Sequence, residues 1–126
     1  MGTEGHLDLA DRFFAAIEAG DLAAVEALYA PGAVVWHNHD GVEQGVEENL
    51  RVLGWMVRHL GGLRYDVRHR VATGDGFVQQ HTLHARGPNG DVAIPACLVV
   101  RVVAGRVARI DEYLDSAHLT ALLPVR

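Results

Sequence analysis

From Leu63 to Asp115 the apolar residues fall on alternate positions, broken only at Asp75-Gly76, Pro88-Asn89-Gly90 and Ala104-Gly105. A period of two sends successive side chains to opposite faces of an extended chain, and Asp-Gly and Asn-Gly are hairpin-turn chemistry. The stretch therefore predicts four consecutive antiparallel strands: Leu63–Ala72, Phe77–Arg86, Val92–Val103 and Gly105–Asp115. In the last of them Ala108, Ile110, Glu112 and Leu114 share one row, and Val107, Arg109, Asp111, Tyr113 and Asp115 share the other, while Leu63, Tyr65, Val67, His69 and Val71 share one side of the first strand. The Ala108 row is apolar except for Glu112. A carboxylate on a core-facing row must be paired, protonated or used, because an unpaired buried charge costs on the order of several kcal/mol. Glu112 is thus the first candidate for chemistry. Two plainer outcomes stand beside it: the strand twists Glu112 to the surface, or an arginine pairs with it.

Upstream the period is helical. Leu9, Phe13, Ala16 and Ile17 recur on one face between about His6 and Ala19, and Leu22, Val25 and Leu28 on one face of Asp21 to Ala30. Gly20 reads as the end of the first helix and Asp21 as the N-cap of the second. Ala33 to His37 predicts a short strand that breaks in the turn residues Asn38-His39-Asp40-Gly41. Val46, Leu50, Leu53 and Val57 predict a third helix over about Val42 to Leu60, stopped by Gly61-Gly62. Ser116 is expected to cap a last short helix through Leu123. The order is helix, helix, strand, helix, four strands, helix. Helices gathered on one face of a curved antiparallel sheet define an α+β domain, and a bent sheet over helices leaves a cone open at one end.

The chain of 126 residues suits a single domain over 1–126. One cysteine, Cys97, excludes an internal disulfide and fits a cytoplasmic location; its apolar run predicts a small core residue. A net charge of −5 with no basic stripe argues against nucleic acid, and no apolar run is long enough for a membrane span or resembles a signal peptide.

Three passages resemble the nuclear-transport-factor-2-like superfamily: Arg12 to Leu22 through Gly20-Asp21, Ala33 to Asn38 followed by Gly45, and Ala104-Gly105-Arg106-Val107 into Glu112-Tyr113-Leu114-Asp115. That superfamily includes SnoaL-like polyketide cyclases, limonene epoxide hydrolases, ketosteroid isomerases and scytalone dehydratases. The resemblance covers about Leu7 to Leu123 and implies a cone-shaped, cystatin-like α+β barrel. It also places site residues. The isomerase base falls on His37 or Asn38, whereas the isomerase tyrosine falls near Phe13 and its second aspartate near Cys97 or Leu98. The epoxide hydrolase tyrosine-x-asparagine segment is similar to Trp36-His37-Asn38, and that family's final-strand aspartate falls on Glu112. Its arginine and first aspartate fall near Gln80 and Thr82.

Eight histidines are many for this length. His37 closes a strand at the expected pocket mouth, where an imidazole suits proton abstraction or a plain turn hydrogen bond. Trp36 has the opposite parity, so only one of the two points inward unless the strand bulges. His81 lies on the row Phe77, Gln79, His81, Leu83, whose large apolar members place it inside with Glu112; an exposed or dimer-face position is its alternative. His37-x-His39 has a spacing zinc can use, but the turn residues end the strand first and no metal is expected. His6, His59, His69, His84 and His118 are expected at the surface or a dimer face. Tyr29, Trp55 and Met56 are placed on helices that roof the cone, favouring a flat apolar ligand, or else are plain core. Both rows of Val92 to Val103 are apolar, which predicts a sheet covered on both sides, by helices and by a second copy.

The expectation is a homodimeric, cofactor-free acid–base enzyme acting on a small hydrophobic molecule. Glu112 and His37 would transfer protons; His81, Asn38 or Trp36 would position substrate or water, and Tyr29 and Trp55 would contact substrate. Epoxide hydrolysis and polyketide cyclisation or isomerisation come first and dehydration next. The alternative is a non-catalytic binding or dimerisation module.

Overall fold

The computed structural model describes residues 3–122. Helix α1 (Thr3–Glu18) is followed by α2 (Leu22–Leu28), strand β1 (Tyr29–His37), the short β2 (Glu43–Gly45) and α3 (Val46–His59). Strands β3 (Gly61–Ala72), β4 (Gly76–Gly87), β5 (Gly90–Val103) and β6 (Arg106–Leu114) then lead to a 3₁₀ helix, Ser116–Leu122. The expected last residue of that helix, Leu123, lies outside the described residues.

The six strands form one curved, unclosed sheet in the order β2-β1-β6-β5-β4-β3. The four predicted strands are a meander, each antiparallel to the next. The sheet as a whole is mixed, not antiparallel, because β1 lies parallel to β6. Three helices pack on its concave face. Leu9, Ala10, Phe13, Phe14 and Ile17 of α1 join Val35, Phe77, Leu98, Val100, Val107 and Ile110 in the main core.

Local chemistry explains most boundaries. Gly20 adopts φ +71°, the left-handed region that ends a helix, and the Asp21 carboxylate accepts from the Ala24 amide at 3.1 Å as the α2 cap. Asp115, not Ser116, caps the last helix, accepting from the Ala117 amide at 2.9 Å. Helix α3 starts at Val46, later than expected, because Glu43–Gly45 is drawn into the sheet opposite Val34–Trp36. Strand β1 starts at Tyr29, before Pro31-Gly32, with a register shift between Tyr29 and Val34 absorbing the breaker pair.

Bulges overturn two parity expectations, and strand parity itself overturns a third placement. A shift in β6 opposite Arg101 and Val102 puts both Val107 and Ile110 in the core, so Ala108 does not lead the Ile110 row. A shift between Val67 and His69 moves His69 and Val71 to the far face from Tyr65 and brings Arg70 inward. Cys97 sits half-buried on the outer row opposite Tyr113, not in the core. Of the histidines expected at the surface, His6 is instead buried at 5% exposure on α1.

Candidate active site

The concave face of the sheet and the helices enclose a cavity of about 340 Å³. Phe13 and Phe14 from α1, Trp55 and Met56 from α3, and Leu119 and Leu122 from the 3₁₀ helix make much of its apolar wall. Tyr29, His37, His39, Gln44, Asn49, Tyr65, His81 and Glu112 supply its polar side chains. Register explains the convergence. His37 lies opposite Glu112, Glu112 opposite Leu98, Leu98 opposite Gln79, and Gln79 opposite Arg70. One row crossing five strands therefore carries polar groups at both ends and Leu98 between them, with His81 on the adjacent row.

His37 and Glu112 touch. The imidazole Nε2 is 2.8 Å from Glu112 Oε1, with the two side chains 14% and 21% exposed. His37 Nδ1 is buried without a partner, so the ring's one engaged nitrogen faces the carboxylate. Burial disfavours the imidazolium, but the hydrogen bond and negative charge of Glu112, with Asp40 beyond, outweigh it and raise the His37 pKa above its ordinary value. His37 therefore favours folding most at low pH. Its contribution is whole below the unfolded value of about 6.5 and is lost as pH rises through the higher folded value. Denaturant titrations of the wild type against His37→Gln should show their stability difference shrinking across that rise; a difference that grows with pH would refute the pairing.

Tyr29 donates to Asn49 Oδ1 at 2.5 Å, and Asn49 Nδ2 donates to Gln44 Oε1 at 3.3 Å, linking β1, α3 and β2 at one wall. Burial, with the negative charge of Glu112, keeps the Tyr29 and Tyr65 phenols protonated far above neutrality, so both are fixed neutral hydroxyls. Tyr65 packs edge-on to Phe14 and His81, with ring centroids at 4.9 Å in both pairs. His81 differs from His37. Burial holds its pKa below the ordinary value; Glu112 opposes that shift and Arg70 adds to it. Two histidines of one cavity are thus pushed apart in pKa, the pattern by which acid and base roles separate.

The other predicted site residues divide. Tyr29 and Trp55 line the cavity, though Tyr29 does so from the start of β1 and not from a helix. Trp36 does not line it: parity turns it to the outer face, edge-on to Tyr113 at 5.4 Å. Asn38 does not line it either. Its backbone N–H donates to the Glu112 backbone carbonyl and its Oδ1 accepts from the Leu114 backbone N–H at 3.0 Å, so it pins the end of β1 to β6. The strand ends at His37, and the His39 ring stands 5.5 Å from that of His37 in the turn. Among the described residues no three His, Cys, Asp or Glu side chains cluster as a metal site, and no helix is long and apolar enough to cross a membrane.

Sequence reasoning missed Tyr65, Asn49 and Gln79 as site residues. Gln79 stood on a correctly drawn inward row, and a polar residue on such a row was the available signal; Tyr65 stood on a row whose facing was left open and which a bulge breaks after Val67. Asn49 had none, because a helical asparagine among Glu47, Glu48 and Arg51 reads as solvated.

A small α+β cone with a carboxylate and histidines inside an apolar cavity defines a class of pocket proteins. The chain belongs to the SnoaL-like domain family, whose model matches residues 10–110. No curated protein sequence matches it. Among solved structures, an NTF2-like protein of unknown function from Burkholderia pseudomallei K96243 superposes with TM-score 0.82 at 20% identity, covering 99% of this chain and 100% of that one. An LEH-like epoxide hydrolase of M. tuberculosis gives TM-score 0.77 at 20% identity, with 94% and 90% covered. TerC, co-crystallised with polyporic acid, gives 0.79 at 17% identity, with 94% and 97% covered. At these identities the likeness establishes the fold.

Proposed function

We propose that the cavity is the active site of a cofactor-free acid–base enzyme acting on a small hydrophobic molecule. The observation that carries this reading is the 2.8 Å contact between His37 and Glu112 inside an apolar cavity. His37 donates through Nε2 to Oε1, and Oε2 has no protein partner among the described residues. Glu112 is then the group that takes and returns the proton, with His37 holding it. The same carboxylate suits activation of water against an epoxide and removal of a proton beside a carbonyl to start a cyclisation or isomerisation; water elimination comes next. An epoxide hydrolase and a protein that takes polyporic acid among the fold's relatives agree with ligands of this size and polarity. Tyr29, Tyr65 and Trp55 would contact the substrate. The test is a panel of epoxides and ketones offered to the wild type and to Glu112→Gln.

A second reading, a non-catalytic binding module, is favoured by one observation. Gln80, near the position that the epoxide hydrolase arginine would take, is exposed on the outer face of β4. Tight binding of a panel member without turnover would select it.

We also infer a homodimer through the outer sheet face. Val71, Val99, Val103 and Tyr113 are 44%, 45%, 54% and 47% exposed there, apolar side chains that a second copy would cover. Val99→Glu should shift the mass in sedimentation equilibrium from dimer to monomer; an unchanged mass would place the interface elsewhere.

A further inference from the structure

A chain of four side chains runs from the surface to His81. Asp11 on α1 pairs with Arg70 Nη1 on β3 at 2.5 Å. Arg70 Nε donates to Gln79 Oε1 on β4 at 2.7 Å, and Gln79 Nε2 meets His81 Nδ1 at 2.8 Å. Gln79 is wholly buried and His81 is 3% exposed.

Donor chemistry fixes every direction in this chain. A guanidinium only donates, so the Gln79 atom facing Arg70 is its carbonyl oxygen. The Gln79 atom facing His81 is then its NH₂, which also only donates here. His81 Nδ1 must accept, and a neutral imidazole that accepts at Nδ1 carries its hydrogen on Nε2. Protonating the ring would set an N–H at Nδ1 against the amide hydrogens and break the contact. Nε2 makes no hydrogen bond among the described residues, and His81 lines the cavity.

We propose that Arg70 and Gln79 are positioning residues that lock His81 as a neutral Nε2–H donor, so that the ligand presents an uncharged oxygen acceptor, a carbonyl or an epoxide oxygen, to β4 while Glu112 acts from β6. The lock itself does not depend on catalysis; only the pairing of donor and carboxylate on one ligand rests on the enzyme reading. The groups facing His81 are consistent with it. Tyr65 and Phe14 flank the ring, Arg70 repels its imidazolium, and Glu112 is the one opposing charge, lying on the next row with His37 already as its partner.

The test is two-bond ¹H–¹⁵N NMR of the labelled full chain across pH. The wild type should show His81 as the Nε2–H tautomer, titrating below the ordinary histidine value of about 6.5. Gln79→Glu should turn Nδ1 into a donor, moving the proton to Nδ1 and raising the midpoint. Arg70→Met should release the Gln79 amide and give a mixture of tautomers. If Gln79→Glu does not fold, the wild-type spectrum alone decides: an Nδ1–H tautomer or an ordinary titration overturns the lock. Acetophenone and ethylbenzene are the ligand probes. The ketone should bind about 5-fold more tightly and shift the His81 Nε2–H resonance, the range of a single net hydrogen bond. Equal affinities with no shift would overturn the acceptor half. A protein that keeps the tautomer but turns over nothing would sink the enzyme reading and leave the lock intact.

Discussion

Glu112→Gln lowers kcat on whichever epoxide or ketone the wild type turns over by about 10² to 10⁴-fold, the ordinary worth of a positioned general base. The substitution keeps the side chain's size and leaves an oxygen for His37 Nε2–H, so the cavity and its affinity should persist. What it removes is a basic carboxylate at Oε2. A second readout follows from electrostatics. His37 owes its raised pKa to Glu112, working against its own burial. Without the charge, burial prevails and the imidazole pKa should fall, visible as a shifted NMR titration of the His37 ring. Turnover within about threefold of wild type would remove Glu112 from the chemistry, since a general base contributes far more than that. A lost kcat with an unmoved His37 titration would mean that the two side chains are not paired in solution.

Gly76→Ala should cost at least about 3 kcal/mol, near the upper end for overpacking. The cause is contact and not backbone conformation. A Cβ built on Gly76 would sit on the carbonyl oxygen of Val100, far inside van der Waals contact, and would lie 3.1 Å from Arg101 Cα. The turn before it is tied down on both sides: Thr73 N donates to the Gly76 carbonyl at 2.9 Å, and Val102 N donates to the Asp75 carbonyl at 2.7 Å. Nothing there is the mobile end of a side chain that could swing away. Urea unfolding measures the loss as a lower midpoint. A loss under about 1 kcal/mol would show that the hairpin end slides along β5 at little cost. A fully folded variant with altered His81 NMR signals would point the same way, since Phe77, Gln79 and His81 continue from this glycine on one inward row.

The meander was legible because alternation and turn chemistry are local. Asp75-Gly76 and Pro88-Asn89-Gly90 mark where the strands reverse, and the row Phe77, Gln79, His81, Leu83 faces inward as its large apolar members require. Glu112 stayed on its inward row for the same reason. The failures have a common physical source. Bulges insert a residue without any sequence mark, which is why the parity drawn through Val67, His69 and Val71 and through Ala108 breaks. Trp36 and Asn38 were placed through a likeness to another family's segment, while strand parity turns the tryptophan away. Asn38 is spent on β6 backbone groups whose distance in space no local pattern encodes. The direction of β1 beside β6 is equally non-local, as is the meeting of Arg70 with Gln79 across a bulge.

The parallel pairing of β1 with β6 also bears on how the molecule is made. Asn38 and Leu114 are bonded across 76 residues of sequence, so their contact closes one of the longest loops in the chain. Contacts of that separation carry the largest loop-closure entropy and slow the folding of the topologies that need them. The β3–β6 meander, joined by short turns, can form first; β1 has to find the edge of a nearly finished sheet. His37 and Glu112 sit at that last seam. A chain with the meander alone would lack the His37–Glu112 contact, which forms only when the N-terminal third docks.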